Sequence, residues 1–336
     1  MKPTLLLMAA LALAAVAPRE AAAQSSPYEG KTITIVVGFK AGGGYDRTAR
    51  ILARHLPKYL PGRPNVIVQN MPGANSITAA NHVYAVAKPD GLTLGTFNRN
   101  LVLAQLTSVP GVKYDMTKFA WIGSAASETT ILAIRSDLPY KTFADLKKAG
   151  KTVVIGATGP GANTYDFPLL LKEFLDVDFK IVSGYSSSAD IMLAIERKEV
   201  DARAGSYTSL RPFIDRKLVH PLIRARAVEP GIEQLPVDES LAPTPRARAI
   251  MALRSAPEVV GRPYVMPPGT PDNLVRMMRQ AFASAIKDGE LVAEAKKAKM
   301  ELEYISGEET LKILTEVLSQ PKEVVDEFAK YIKFGE

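Results

Sequence analysis

The feature that most restricts this chain is an alternation. Short runs of β-branched residues give way repeatedly to stretches whose apolar residues recur at helical spacing. Residues 33–37 (ITIVV) have the composition of a strand buried on both faces of a parallel sheet. Ala49, Leu52, Ala53 and Leu56 then share one helical stripe, which Pro57 stops. Residues 66–68 form the next strand and 77–87 the next helix. After a Pro89-Asp90-Gly91 turn, 92–96 is a third strand. A second set follows, with strands at 131–134, 153–155, 179–182 and 200–204. Its helices run over 167–175 and 189–196, and another starts at Thr142, where Asp145 completes a capping box. Strands alternating with helices imply βαβ units and parallel pairing. The Pro- and Arg-rich stretch 228–263 resists assignment. Thr270-Pro271-Asp272 reads as an N-cap followed by proline at the first helical position. Two further stripes, Leu311/Leu314/Val317/Leu318 and Val324/Val325/Phe328/Ile332, make the C-terminus helical.

Two strand-to-helix junctions are rich in glycine. One is residues 40–46, KAGGGYD, and the other is 156–164, GATGPGANT. Glycine lets the backbone approach a ligand closely. A helix start adds unpaired N–H groups and partial positive charge, which favour a carboxylate or phosphate. In open parallel sheets, ligands bind beyond the carboxyl ends of the strands. A tight turn without a ligand is the competing reading of either loop. Neither loop carries the Gly-Lys-Ser/Thr of a Walker A motif. Thr164 stands where a dinucleotide fingerprint needs its third glycine. Asp46 sits where an N-cap belongs, with its carboxylate expected on the N–H of Thr48 or Ala49; direct ligand contact is the alternative. Tyr45, Tyr165, Tyr185 and Tyr207 flank loops and could each offer a hydroxyl, a stacking face or simple packing.

Catalytic patterns are scarce. His55, His82 and His220 are isolated, no metal-ligand spacing appears, and there is no G-x-S-x-G elbow. No cofactor and no metal is expected. The net charge of +7 is mild, and the basic residues are interspersed with acids, which argues against a nucleic-acid partner.

The amino terminus has the parts of a cleavable export signal over residues 1–23. Lys2 leads an apolar run over 5–17, and Ala21-Ala22-Ala23 precedes Gln24. The run is shorter than the ~20 residues that a membrane span needs. The chain has no cysteine, hence no disulfide and no site for a lipid anchor. An exported, unanchored chain suits the periplasm.

Several segments resemble one family. Residues 33–50 (ITIVVGFKAGGGYDRTAR), 68–75 (VQNMPGAN), 88–94 (KPDGLTL) and 266–271 (MPPGTP) match, in order and spacing, the tripartite tricarboxylate transporter receptors, also called the Bug or TctC family. The resemblance implies an α/β, two-lobed periplasmic-binding-protein fold of the Venus-flytrap, type II-like kind. Each lobe would hold a mainly parallel sheet flanked by helices. Lobe 1 would take 28–126 and 264–336, lobe 2 would take 127–263, and hinges would lie near 124–129 and 262–265. It also implies a monomeric receptor that takes a small carboxylate between its lobes and hands it to the permease subunits in the membrane. By the same match, Ala41, Gly42, Gly43 and Gly44 clamp a ligand carboxylate, beside Tyr45 and Asp46. In the second loop, with Thr158 alongside, Gly159 and Gly161 match the family's G-x-G-S. Ala162 replaces the serine, so Asn163 or Thr164 is expected to substitute for it. Tyr185 matches a cleft-side tyrosine, and Lys40 replaces a common proline. A sensory receptor partner or an exported hydrolase on the same fold are the rival functions, and the cargo stays open among di- and tricarboxylates, aromatic acids and amino acids.

Overall fold

The computed structural model describes residues 26–148, 150–227, 229–300 and 302–332. The export signal expected over 1–23 lies outside them. In chain order, the first part holds β1 (Thr32–Val37), α1 (Gly44–His55), β2 (Asn65–Asn70), α2 (Ile77–Ala85), β3 (Thr93–Thr96), α3 (Leu101–Leu106) and β4 (Ala120–Ser124). The middle holds β5 (Thr130–Arg135), α4 (Phe143–Lys148), β6 (Val153–Gly156), α5 (Asn163–Leu175), β7 (Phe179–Val182), α6 (Ser188–Glu196), β8 (Ala202–Ser206), α7 (Tyr207–Asp215) and β9 (Val219–Arg224). The remainder holds α8 (Pro245–Ser255), β10 (Pro263–Met266), α9 (Asp272–Ile286), α10 (Gly289–Lys297), β11 (Ile305–Ser306), α11 (Gly307–Leu318) and α12 (Lys322–Tyr331).

The strands form two sheets, in the orders β11-β4-β10-β3-β1-β2 and β7-β6-β8-β5-β9. The architecture is two-lobed α/β, and each sheet is mixed rather than mainly parallel. Pairing is parallel for β2-β1-β3 and β7-β6-β8, and antiparallel for β3-β10-β4-β11 and β8-β5-β9. The antiparallel pairing is made by β5, entered where the chain passes between the sheets at 124–130, by β10, entered where it returns at 263, and by the two-residue edge strand β11. The parallel halves carry the functional geometry. β1, β6, β7 and β8 each run straight into a helix, so those helix starts open at the carboxyl ends of the strands.

Local chemistry explains most boundaries. Thr142 and Asp145 form the reciprocal capping box: the Asp145 N–H donates to Thr142 Oγ1 at 3.1 Å, and the Thr142 N–H donates to Asp145 Oδ2 at 2.9 Å. Thr244 caps α8 in the stretch that resisted assignment, with Pro245 at its first turn. At α9 the N-cap is Pro271 itself, and the Thr270 hydroxyl turns back to the Pro267 carbonyl. His55, isolated in sequence, meets Glu294 at 2.8 Å and lies beside Asp288 and Glu290. Lys58 holds Asp288 at 2.7 Å, so this cluster already has its cation and ties the end of α1 to α10.

One apolar cluster runs through both sheets, including Val36 and Trp121 from the first and Leu132, Ile155 and Phe179 from the second. The α12 residues Phe328 and Ile332 join it. The Tyr331 ring packs on Phe174 of α5 at 4.9 Å, and Glu327 pairs with Arg246 of α8. The last helix therefore packs on elements of the second sheet.

Candidate functional site

The carboxyl ends of β1, β6, β7 and β8 face one cavity of about 610 Å³, measured out to its mouth. Four helix N-caps are among its lining residues: Gly43 of α1, Ala162 of α5, Ser187 of α6 and Ser206 of α7. At Gly43, Ala162 and Ser206 no side chain caps the helix. Ser187 does cap, accepting from the Asp190 N–H. Four helix macrodipoles thus point their positive ends into one space. Among the described residues that line it none is acidic, whereas Arg99, Arg203 and Arg262 all line it.

The guanidiniums are held in different ways. Arg99 donates to Glu128 at 2.8 Å, and Arg262 pairs with the other oxygen of the same carboxylate. Arg262 also lies over the Tyr45 ring, 4.5 Å from its centroid. Tyr45 stacks on Phe39 and accepts the Arg99 backbone N–H at 3.0 Å. Arg203 donates to neutral oxygens: Ala204 O at 3.2 Å, Ser188 O at 2.9 Å and Ser209 Oγ at 3.2 Å. Burial alone pushes its guanidinium down to about 10.

The sequence-derived residues divide into wall and support. Gly43, Gly44, Tyr45, Thr158, Ala162, Asn163 and Thr164 line the cavity. Ala41, Gly42, Asp46, Gly159, Gly161 and Tyr185 are not on its wall. Gly42 adopts a φ of +93°, which turns its N–H onto Asp46 Oδ2 at 2.9 Å. Asp46 is therefore not the N-cap. It lies inside α1, buried, and bonds Arg50 and Asn70 instead of Thr48 or Ala49. Burial raises its pKa, but the bonds from Arg50, Gly42 and Asn70 outweigh this, leaving a net lowering. Gly161 offers its carbonyl to Asn98 at 3.0 Å. Tyr185 lies in an adjoining recess with Lys40, Phe39, Pro72 and Thr158. Both residues expected to replace the missing serine are engaged. Asn163 spans from Asn100, at 2.6 Å, to Thr130, at 2.7 Å, and the Thr164 hydroxyl meets Thr158 at 2.8 Å.

Sequence reading missed Phe39, Asn98, Arg99, Ser187, Ser188, Arg203, Gly205, Ser206, Ser209 and Arg262. One signal was available. Ala202-Arg203-Ala204-Gly205-Ser206 puts a charge inside a strand of small residues directly before a helix. An interior strand cation needs a reason.

The model of the tripartite tricarboxylate transporter family receptor matches residues 48–329. The chain belongs to that family. By its description, the family is one of receptors. Among curated relatives, a protein encoded in the TAR-I ttuE-ttuC' intergenic region of Agrobacterium vitis is 31% identical over 218 residues, 63% of this chain and 61% of that one. The match thus spans less than two thirds of that relative's length. A protein from the gbd 5' region of Cupriavidus necator is 25% identical over 95% of this receptor and 93% of its own length. Among solved structures, the periplasmic binding protein BugD superposes with a TM-score of 0.75 at 21% identity, covering 91% of this receptor and all of BugD. MatC of Rhodopseudomonas palustris with bound malate gives 0.70 at 22%, covering 88% and 99%. Another R. palustris protein, solved with adipate, gives 0.70 at 19%, covering 89% and 97%. At these identities the structures establish the fold.

Proposed function

We propose that the receptor works in the periplasm as a monomer, closes on a small organic acid, and delivers it to the membrane permease subunits of a tripartite transporter. The observation that carries this reading is the convergence of four helix starts on a cavity with no acidic residue among the described residues that line it. Such a space disfavours cations and rewards an anion that accepts free N–H groups. We assign direct ligand contact to Gly43, Gly44 and Tyr45 on one side and to Thr158, Ala162, Asn163 and Thr164 on the other. Ala41, Gly42, Asp46, Gly159 and Gly161 support those loops, and Tyr185 stands at the adjoining recess. We divide the lobes as 28–126 with 264–336, and 127–263, with α12 reaching across to lobe 2. The malate and adipate held by two fold neighbours are the kind of ligand this reading expects.

The test is thermal denaturation of the purified mature chain against a panel of mono-, di- and tricarboxylates, aromatic acids and the matching alcohols. A ligand bound only by the folded state at ~100 times its Kd adds about 2.7 kcal/mol. At least one acid should raise the melting temperature by several degrees, with no response to its alcohol. A panel in which no acid shifts the melt, or in which an acid is turned over, overturns the reading.

A further inference from the structure

We propose that Arg203 is the specificity-determining residue of this cavity, and that it restricts the ligand to acids with two negative charges and no ammonium group. This rests on the reading that the cavity takes an organic acid, and goes on to say which.

Charge balance at the wall is the first argument. Arg99 and Arg262 share the single carboxylate of Glu128. Arg203 is 2% exposed and makes no ion pair among the described residues. Glu258, the next buried carboxylate, is committed to Arg254 at 2.9 Å and to Thr130. Three guanidiniums line the cavity and Glu128 is shared by two of them, so the wall carries a surplus of two positive charges and Arg203 alone has no ion-pair partner among the described residues. A buried cation lacking a counter-ion is costly, and an incoming anion removes that cost.

The site is also built to hold these cations. A Cβ on Gly205 would lie 2.3 Å from Arg203 Nη2, and a Cβ on Gly44 would lie 2.4 Å from Arg262 Nη2. One glycine on each side of the cavity thus makes room for one guanidinium. Arg262 Nη2 donates to Ser206 Oγ at 3.2 Å, Arg203 Nη2 to Ser209 Oγ at 3.2 Å, and Ser209 Oγ to the Ser206 carbonyl at 2.9 Å. The two guanidiniums therefore flank one serine pair. The neutral oxygens orient the fork of Arg203 without neutralising it, which is the preorganisation that carboxylate recognition uses. A monoacid answers one of the two charges. An amino acid brings an ammonium to a wall with no acid to receive it.

The experiment is calorimetric titration of the mature chain with dicarboxylates from malonate to adipate, each paired with the monoacid of equal chain length, and with aspartate and glutamate. Arg203→Gln and Arg203→Lys are run alongside. The wild type should bind its best dicarboxylate at least about 10-fold tighter than the matched monoacid, the amount a charge-assisted hydrogen bond supplies, and tighter than either amino acid. Arg203→Gln should weaken the dicarboxylate more than the monoacid and bring that ratio close to one, and Arg203→Lys should keep part of it. Equal loss for both acids in Arg203→Gln would mean a purely structural role and overturn the proposal. So would a wild type that binds monoacids or amino acids as tightly as dicarboxylates, a result that needs no variant to fold. If no acid binds at all, the organic-acid reading fails with it; if acids bind but the second charge gains nothing, only the role of Arg203 fails.

Discussion

Each glycine loop is braced from behind by one aspartate, and the two aspartates differ in charge state. Asp46 receives Gly42, Arg50 and Asn70, so its negative charge is matched. Asp166 is fully buried; one oxygen accepts the Gly161 N–H at 2.9 Å and the other has no hydrogen-bond partner among the described residues. Burial pushes its pKa up to about 8, against the opposing pull of Gly161 and Arg254. An unfolded aspartate titrates near ~3.9, so between these values the folded chain holds the extra proton. Stability from this residue is therefore lost as pH rises from ~4 to ~8. Asp166→Asn keeps an acceptor for Gly161 and carries no charge. Its melting temperature should match wild type at about pH 4 and exceed it by a few degrees at about pH 9. An advantage that does not grow with pH would mean that Asp166 is ionised in the fold. Such a difference between two similar loops cannot be read from residues 40–46 and 156–164, because it depends on what packs behind each.

At the scale of elements, a row of asparagines opposite the second glycine loop joins the two sheets. Asn98 and Asn100 reach Gly161 and Asn163, and Asn75 donates to the Pro160 carbonyl. Asn75 sits in a run of positive φ, with Ala74 at 43°, Asn75 at 49° and Ser76 at 82°. Left-handed backbone without glycine persists only where the surroundings enforce it. Asn100→Ala removes the 2.6 Å bond to Asn163 and should weaken acid binding about 2- to 10-fold, the range for one net hydrogen bond. The check is the same calorimetric titration, and unchanged affinity would show that this contact does not support the ligand site. Most strands and helices were legible because buried β-branched runs and 3.6-residue stripes are local signals. β10 was not. It is four residues long, opens with Pro263, and pairs antiparallel with β3 and β4, so its place is set by distant partners. α8 was hidden by its prolines and arginines, although Thr244-Pro245 is a readable start.

Across the whole molecule, the crossing between the sheets is a buried polar junction. Ala125 and Arg262 share a backbone bond at 2.9 Å, as do Glu128 and Glu258 at 3.0 Å. Glu128 is 1% exposed and faces two guanidiniums that line the ligand cavity. Glu128→Gln keeps the shape but strips Arg99 and Arg262 of their shared counter-charge. Breaking a buried pair in this way costs roughly 3–5 kcal/mol. The unfolding midpoint in urea should drop accordingly, with part of the loss restored by a bound acid. A variant as stable as wild type would mean that these arginines are compensated elsewhere.

The amino-acid sequence by itself determined the alternation of strands and helices, the two glycine loops and the four family segments, since each is written in neighbouring residues. It also placed seven of the seventeen residues of the cavity wall, because a glycine-rich helix start is visible where it occurs. Only the tertiary structure decided that four helix starts share one space, that Asp46 supports its loop from behind, and that Arg99, Arg203 and Arg262 line that space while only the first and last share a carboxylate. These arginines lie far apart along the chain. Charge balance in a buried site is a sum over everything packed around it, and no local pattern carries that sum.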